Sequence, residues 1–163
     1  MKTVKGQASL IDLVIGFSVF MLIFVLVIGA INSNYKDITK NREIDEIEHS
    51  ANFVLKELTE TKGFPENWET LGTGEIQRIG LTEKNNQISE EKLVAFSNLD
   101  YDESKVLMKL EGYDYYFDFD GIDNITAGLN PIGQTKYEIT MKKIVEYKGS
   151  EAEIEFKVYI LWE

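Results

Sequence analysis

The chain of 163 residues contains no cysteine, a single histidine and two prolines. The absence of cysteine excludes disulfide bonds, thiol catalysis and cysteine-based zinc sites. The lone histidine, His49, argues against a conventional catalytic triad and against a histidine-rich metal site. Basic residues are also scarce, since 17 Lys and Arg stand against 28 Asp and Glu and leave a formal net charge of −11. Because phosphate binding requires a basic face, this balance argues against a nucleic-acid partner.

Charge is absent from Leu13 to Ile31, where nearly every residue is apolar. As a helix rising ~1.5 Å per residue, this run matches the ~30 Å hydrocarbon core of a bilayer. Lys2 and Lys5 precede it, as in a secretory signal peptide, but such peptides have only ~7–15 apolar residues, and Asp12 stands at the start of this run. We therefore expect the run to be kept as a membrane-spanning helix.

The helical pattern continues beyond the apolar run. Apolar residues recur at three- and four-residue spacing, which predicts one face of an amphipathic helix. They are Ile38, Ile44, Ile47, Ala51, Val54, Leu55 and Leu58. Gly63 and Pro65 then form a helix stop signal. One helix over residues 8–61 is expected, with a first half that needs lipid or other apolar helices and a second half that packs on a domain.

Alternation of apolar and polar residues beyond Gly63 is typical of strands with one dry and one wet face. The dry face of the last strand is expected to carry Ala152, Ile154, Phe156, Val158, Ile160 and Trp162. Residues 113–120 and 137–147 alternate similarly, with a loop expected over 121–133 and a turn at 148–150. Two short helices are expected, one capped by Ser89 and one starting near Asp100–Asp102. The fold class is therefore α+β, with a long N-terminal helix packed against a small C-terminal antiparallel sheet.

The segment Lys5–Leu10, followed by an acid and the apolar run, resembles the class III signal peptide of archaeal type IV pilins. After the long helix, the elements Gly63–Trp68, Ile79–Leu81 and Ile88–Leu93 follow in an order similar to that of many archaeal pilin-like surface proteins. The resemblance covers about residues 5–117. It implies the type IV pilin-like fold.

The resemblance also implies how the chain is processed. A prepilin peptidase would cut between Gly6 and Gln7, so that residues 1–6 are a leader peptide. Residues 7–62 would then be the long helix, with 13–31 as its transmembrane or filament-core part, and 63–163 the outer domain. The acid that pairs with a neighbouring subunit's new amino terminus in this family falls at Ile11, one residue before Asp12. Asp12 is therefore either the assembly acid or a marker of the membrane interface. Gln7 and Gly16 are the other expected assembly contacts.

A structural role follows from the resemblance: a subunit, major or minor, of a type IV pilus-like surface filament, with no enzymatic activity and no cofactor. The precursor would lie in the membrane and the mature chain in a cell-surface filament. Its expected partners are prepilin peptidase, membrane lipid, other pilin subunits, a membrane assembly platform and a cytoplasmic ATPase. Two alternatives fit the same pattern. One is a single-span anchored binding or adhesion module, and the other is a membrane-anchored hydrolase, for which no carboxylate pair stands out.

Two weaker candidate sites lie near residue 120. Asp118, Asp120 and Asp123 are spaced closely enough to suggest calcium ligands, since hard cations take several oxygen atoms. The segment departs from the EF-hand pattern, because its glycine comes early and Leu129 stands where the closing glutamate should be. A strand that ends in an acidic turn explains it equally well. Asn124, in Asn-Ile-Thr, is a candidate for N-glycosylation.

Overall fold

The computed structural model describes residues 4–84, 87–121, 125–133 and 135–162. The chain forms two compact units, Met1–Glu43 and Ile44–Glu163. Helix α1 runs from Val4 to Glu60, so its first part belongs to one unit and its last part to the other. The predicted long helix is confirmed. Its division into leader, helix and outer domain stays a prediction.

In its described residues, the second unit adds two short α-helices, two single-turn 3-10 helices (Trp68–Thr70 and Thr73–Glu75) and six strands to the end of α1. The α-helices are α2, Glu90–Ser97, and α3, Tyr101–Met108. The strands are β1 Thr82–Lys84, β2 Gln87–Ile88, β3 Asp114–Asp120, β4 Ile125–Gly128, β5 Thr135–Tyr147 and β6 Ser150–Leu161. The expected α+β class is confirmed.

These strands form one sheet in the order β1-β2-β5-β6-β3-β4. All neighbouring pairs are antiparallel except β2 and β5, which run parallel and pair at Gln87 and Glu146. The chain passes through α2, α3, β3 and β4 between these two strands, so no hairpin forces them to run in opposite directions. The sheet is therefore mainly, rather than wholly, antiparallel.

The region expected as a loop, 121–133, contains strand β4. This strand pairs with β3, with Ala127 opposite Phe117 and Thr126 opposite Asp118. It is short, and of its side chains only that of Ala127 is buried, so its sequence carries little alternation of apolar and polar residues. Such a strand depends on its neighbour for its conformation rather than on its own pattern.

The hairpin between β5 and β6 has the predicted turn. Tyr147 pairs with Ser150, and the two residues between them, Lys148 and Gly149, have φ angles of 49° and 79°. Positive φ at both central residues is the backbone of a type I′ turn, whose twist suits antiparallel strands. This short connection fixes the register of the two longest strands in the unit.

The core of the second unit contains the inner face of the sheet and one stripe of α1. From α1 it takes Ile47, Ala51, Val54, Leu55 and Leu58, and from the three central strands Tyr115, Phe117, Phe119, Val145, Ala152, Ile154, Phe156 and Val158. Full burial of one large apolar side chain stabilises the fold by roughly 1.5–3 kcal/mol. The predicted burial of the helix stripe is confirmed from Ile47 to Leu58.

Trp162 departs from the expected dry face of β6. Its side chain is 63% exposed, whereas Val158 on the same face is buried. The last described pair of β6 is Leu161 with Thr135, and β3 begins only opposite Tyr159. Trp162 thus lies past the end of the paired sheet, where no neighbouring strand covers it.

The segment after α1 packs around Trp68, which is fully buried. The indole Nε1 donates a hydrogen bond of 2.8 Å to the carbonyl oxygen of Gly80. Gly63 lies against the indole with a φ of 80°, and a Cβ added there would meet Trp68 Cδ1 at 2.5 Å and the carbonyl oxygen of Arg78 at 2.7 Å. Both the conformation and the contact require glycine at this position.

A polar cluster joins α3 to the start of β3. Asp114 accepts hydrogen bonds from the Tyr101 hydroxyl at 2.7 Å and from Lys105 Nζ at 2.9 Å. Burial alone would raise the pKa of Asp114, but these two bonds outweigh it and hold the pKa below its ordinary value. Burial and the Asp114 carboxylate raise the pKa of the Tyr101 hydroxyl, which therefore remains a donor.

We expect Gly63→Ala to destabilise the second unit by roughly 2–4 kcal/mol, because the new methyl group forces both left-handed strain and displacement of Trp68. Gly72→Ala is the matched control, since an added Cβ there has no neighbour within 4 Å. Urea unfolding of the full chain in detergent micelles, followed by tryptophan fluorescence, measures both variants. Equal midpoints for the two would contradict the packing described here.

Asp114→Asn should make the free energy of unfolding less dependent on pH in the acid range. A carboxylate whose pKa is lowered by folding stabilises the folded state at pH values above the pKa of the unfolded chain. This contribution is lost as the pH falls through the pKa of the folded state. The wild type should therefore lose more stability than Asp114→Asn between about pH 5 and pH 3. Asp118→Asn, on the same face of the same strand, controls for net charge. The measurement is the urea midpoint of unfolding at several pH values across this range. The same pH dependence for wild type and Asp114→Asn would refute the lowered pKa of Asp114.

Candidate membrane and assembly segment

The longest apolar feature of the described chain is the segment Ile11–Asn32 of α1, 22 residues long. By length and composition it is able to cross a membrane. It begins two residues before the predicted run and ends one residue after it. Asp12 is its only charged residue.

This segment is helical although it is rich in β-branched and aromatic residues, which are only moderate helix formers in water. In hydrocarbon a helix is favoured for another reason, since it pairs all its backbone groups internally. The hydroxyl of Ser18 is also paired within the helix, since it donates a hydrogen bond to the carbonyl oxygen of Val14 at 2.8 Å. Phe20 and Phe24, one turn apart, stack with their ring centroids 6.0 Å apart.

Every side chain from Ile11 to Asn32 is exposed in the isolated chain. Leu13 is 72% exposed and Val25 66%, on different faces of the helix. A helix that is apolar all round and packs on nothing in its own chain needs an apolar environment from outside. Lipid or the apolar helices of other molecules would supply such an environment.

Asp12 and Gly16 lie one turn apart on one face of the helix. The Asp12 side chain is exposed, and a Cβ added at Gly16 would have no neighbour within 4 Å. A small residue next to an acid permits another helix to approach closely where a cation could meet the carboxylate. The backbone is helical through Gly6 and Gln7, and the side chain of Gln7 is not among those that the structure describes.

The calcium and glycosylation candidates are only partly described. Asp118 is half-buried and Asp120 exposed on the outer face of β3, whereas Asp123 and Asn124 lie outside the described residues. Among the side chains that the structure describes, no group of three acidic or histidine residues is arranged to hold a metal ion. His49 is exposed on α1.

Sequence reasoning missed one buried charge, Lys92. Its side chain is 4% exposed, and Nζ donates to the carbonyl oxygens of Lys62 at 2.6 Å, Glu66 at 2.8 Å and Thr82 at 3.3 Å. Burial lowers the pKa of this ammonium group, and the nearby carboxylates of Glu69 and Glu66 oppose the shift. The ammonium thus joins three chain segments around the end of α1.

A sequence signal for this burial exists. Leu93 and Phe96 are buried on α2, and Lys92 precedes Phe96 by one helical turn, which places it on the same face. Three carbonyl acceptors make the burial tolerable, because each replaces a hydrogen bond to water. The arrangement stabilises the fold, because three carbonyl oxygens accept from the ammonium group of Lys92.

Comparison of the chain with protein-family models, with curated proteins and with solved structures gives no match.

Proposed function

We propose that the chain is a structural subunit of an archaeal type IV pilus-like filament at the cell surface, cut by prepilin peptidase between Gly6 and Gln7. The observation that carries the proposal is the segment Ile11–Asn32, which is apolar on all sides and exposed throughout. It belongs to a helix whose last part enters the core of a mixed α+β unit. The leader-like residues Lys5–Leu10 support the same conclusion.

Leader removal would change the membrane behaviour of the segment. Lys2 and Lys5 are the only charged residues before the cut, and they hold the precursor's amino terminus at the aqueous face. Once they are removed, the helix can move from lipid into a bundle of similar helices. Lipid is as apolar as leucine, so close packing and paired polar groups, rather than hydrophobicity, must favour the bundle.

Asp12 would supply the paired polar group. A carboxylate in an apolar bundle is costly unless a cation neutralises it. After cleavage, the cation nearest in sequence to Asp12 is the new amino group at Gln7, and the same group of a neighbouring subunit would neutralise the carboxylate. Gly16, open on the same face, would let that neighbour approach. The assembly platform and the ATPase would come from other proteins.

The first test is the intact mass of the protein from host membranes and from sheared surface filaments. We expect a species that starts at Gln7 in the sheared fraction, and Gly6→Val should leave a full-length species in the membrane. Thr3→Val, which changes the leader away from the cut, serves as the control. A full-length wild-type chain confined to membranes would refute the filament proposal and leave the anchored binding module.

The second test concerns assembly alone. Asp12→Asn keeps the shape of the side chain and removes its charge, so cleavage should proceed while the yield of sheared filaments falls by at least about tenfold. Asp45→Asn, at an exposed position later in α1, removes the same charge as a control. Unchanged yield for Asp12→Asn would assign this acid to the membrane interface instead.

A further inference from the structure

We propose that an exposed apolar surface of the second unit, the sheet-end patch, contacts the headgroup region of a lipid bilayer before the chain is assembled. The patch contains Leu129, Ile132, Leu161 and Trp162. The proposal rests on the proposed function in one respect, namely that the segment Ile11–Asn32 of the precursor spans a membrane. The contact itself is argued from the second unit and from the length of chain that connects it to that segment.

The four side chains of the patch lie together at one end of the sheet. Leu161 pairs with Thr135, so the end of β6 lies beside the start of β5. The Tyr159 hydroxyl donates to the carbonyl oxygen of Leu129 at 2.7 Å, which brings the chain after β4 to the same place. The members of the patch are between 42% and 91% exposed. Apolar side chains grouped in this way on a surface are typical of a site of contact with another molecule or with a membrane.

Contacts between α1 and β5 show which end of the unit carries the patch. Lys143 Nζ donates to Thr59 Oγ1 and to Glu60 Oε1, both at 2.8 Å, so the later part of β5 lies beside the end of α1. Earlier in β5, Met141 lines a surface depression together with Asn52, a residue from an earlier turn of α1. The start of β5 therefore points toward the start of the helix stripe.

The lengths of the two elements agree with this direction. Thr135 lies eight residues before Lys143, which is roughly 26 Å along a strand. Ile44 lies sixteen residues before Glu60, which is roughly 24 Å along a helix. The sheet-end patch is thus at the Ile44 end of the second unit, the end at which α1 enters the unit.

The connection to the apolar segment is short. Only residues 33–43 separate Asn32 from the second unit, and eleven residues span at most roughly 40 Å even when fully extended. A chain anchored through Ile11–Asn32 therefore holds the second unit close to the bilayer at a high effective concentration. Under such a tether a contact that is weak by itself becomes well populated.

The size and composition of the patch favour lipid over a protein partner. A stable protein interface uses roughly 20–30 residues a side, whereas the patch has four large apolar side chains. Tryptophan is enriched at the membrane–water interface, because its ring is apolar and its N–H remains available to polar groups. Trp162 is 63% exposed, and Ile132 in the same patch is 91% exposed. Both can enter the boundary between headgroups and acyl chains without any change in the fold.

Charge at the sheet end determines which lipid suits the contact. The exposed acids Glu111, just before β3, and Glu138, early in β5, lie near the patch, and Glu163 follows Trp162 in the sequence. Lys136 is the cation next to them in sequence. Because acids outnumber this cation, an anionic surface would repel the sheet end. The contact is therefore apolar rather than electrostatic, and its partner is a surface of lipids without net charge.

Quenching of tryptophan fluorescence by brominated lipids tests the contact, because the chain contains only two tryptophans. Trp68 is fully buried, so lipid reaches only Trp162. The full chain is reconstituted into phosphatidylcholine vesicles whose acyl chains carry bromine either near the headgroup or near the terminal methyl group. We expect the shallow bromine to quench at least about twofold more than the deep bromine, because interfacial side chains enter only ~5–10 Å. Trp162→Phe should abolish this quenching.

A second pair of variants tests the patch as a whole. Ile132→Ser should lower the quenching of Trp162 by about half, because it removes the most exposed apolar side chain of the patch. Ile144→Ser is the matched control, since Ile144 is 66% exposed but lies toward the opposite end of β5, opposite Glu153. Equal effects of the two variants would contradict the role given to the patch.

The outcomes separate this contact from the filament proposal, because reconstitution requires neither cleavage nor assembly. A chain that floats with the vesicles but is quenched by neither bromine would overturn the contact and leave the filament proposal intact. Quenching of Trp162 in a chain that forms no processed filaments in its host would support the contact and count against the filament. A chain that does not float with the vesicles would overturn the contact together with the membrane-bound precursor.

Discussion

An apolar helix that none of the described residues covers is the constraint on which this molecule depends. The segment Ile11–Asn32 exposes every side chain, and only Asp12 interrupts its apolar character. Water is an unsuitable environment for such a surface, and burial of the helix in lipid or among other apolar helices is favoured instead. The requirement is strong but unspecific, since any apolar surroundings satisfy it. Specificity must come from the few polar and small positions.

The second unit meets a different requirement, which is to attach a sheet to the end of a long helix. The core takes one stripe of α1 and the inner face of the sheet, and the segment after Glu60 closes around Trp68. Lys92, on α2, joins this segment to β1 by donating to the carbonyl oxygens of Lys62, Glu66 and Thr82. A protein without disulfides thus holds its irregular segment with one indole and one ammonium group, both buried.

The elements with long, regular patterns could be predicted from the sequence. The apolar run, the stripe from Ile47 to Leu58 and strand β6 each repeat their signal many times. Strand β4 and the pairing of β2 with β5 could not, because two to four residues carry too little pattern and their pairing depends on distant partners. The spacing of Lys92 from Phe96 indicates that both lie on one face of α2, but the three carbonyl groups that permit burial of Lys92 come from segments that the sequence does not bring together.

Some features of the candidate site could likewise be predicted from the sequence, and others could not. The length of the apolar run and the position of Asp12 can be read from the sequence, so the candidate membrane segment follows from it directly. The exposure of Trp162 does not, because alternation along β6 places it on the dry face, and only the register with β3 and β5 shows that the sheet ends before it. A large aromatic side chain left in water at the sheet end gains from burial against another molecule. The two surfaces differ in kind: the helix is apolar on every side over 22 residues, whereas the sheet end exposes a small group of apolar side chains that includes Ile132 and Trp162.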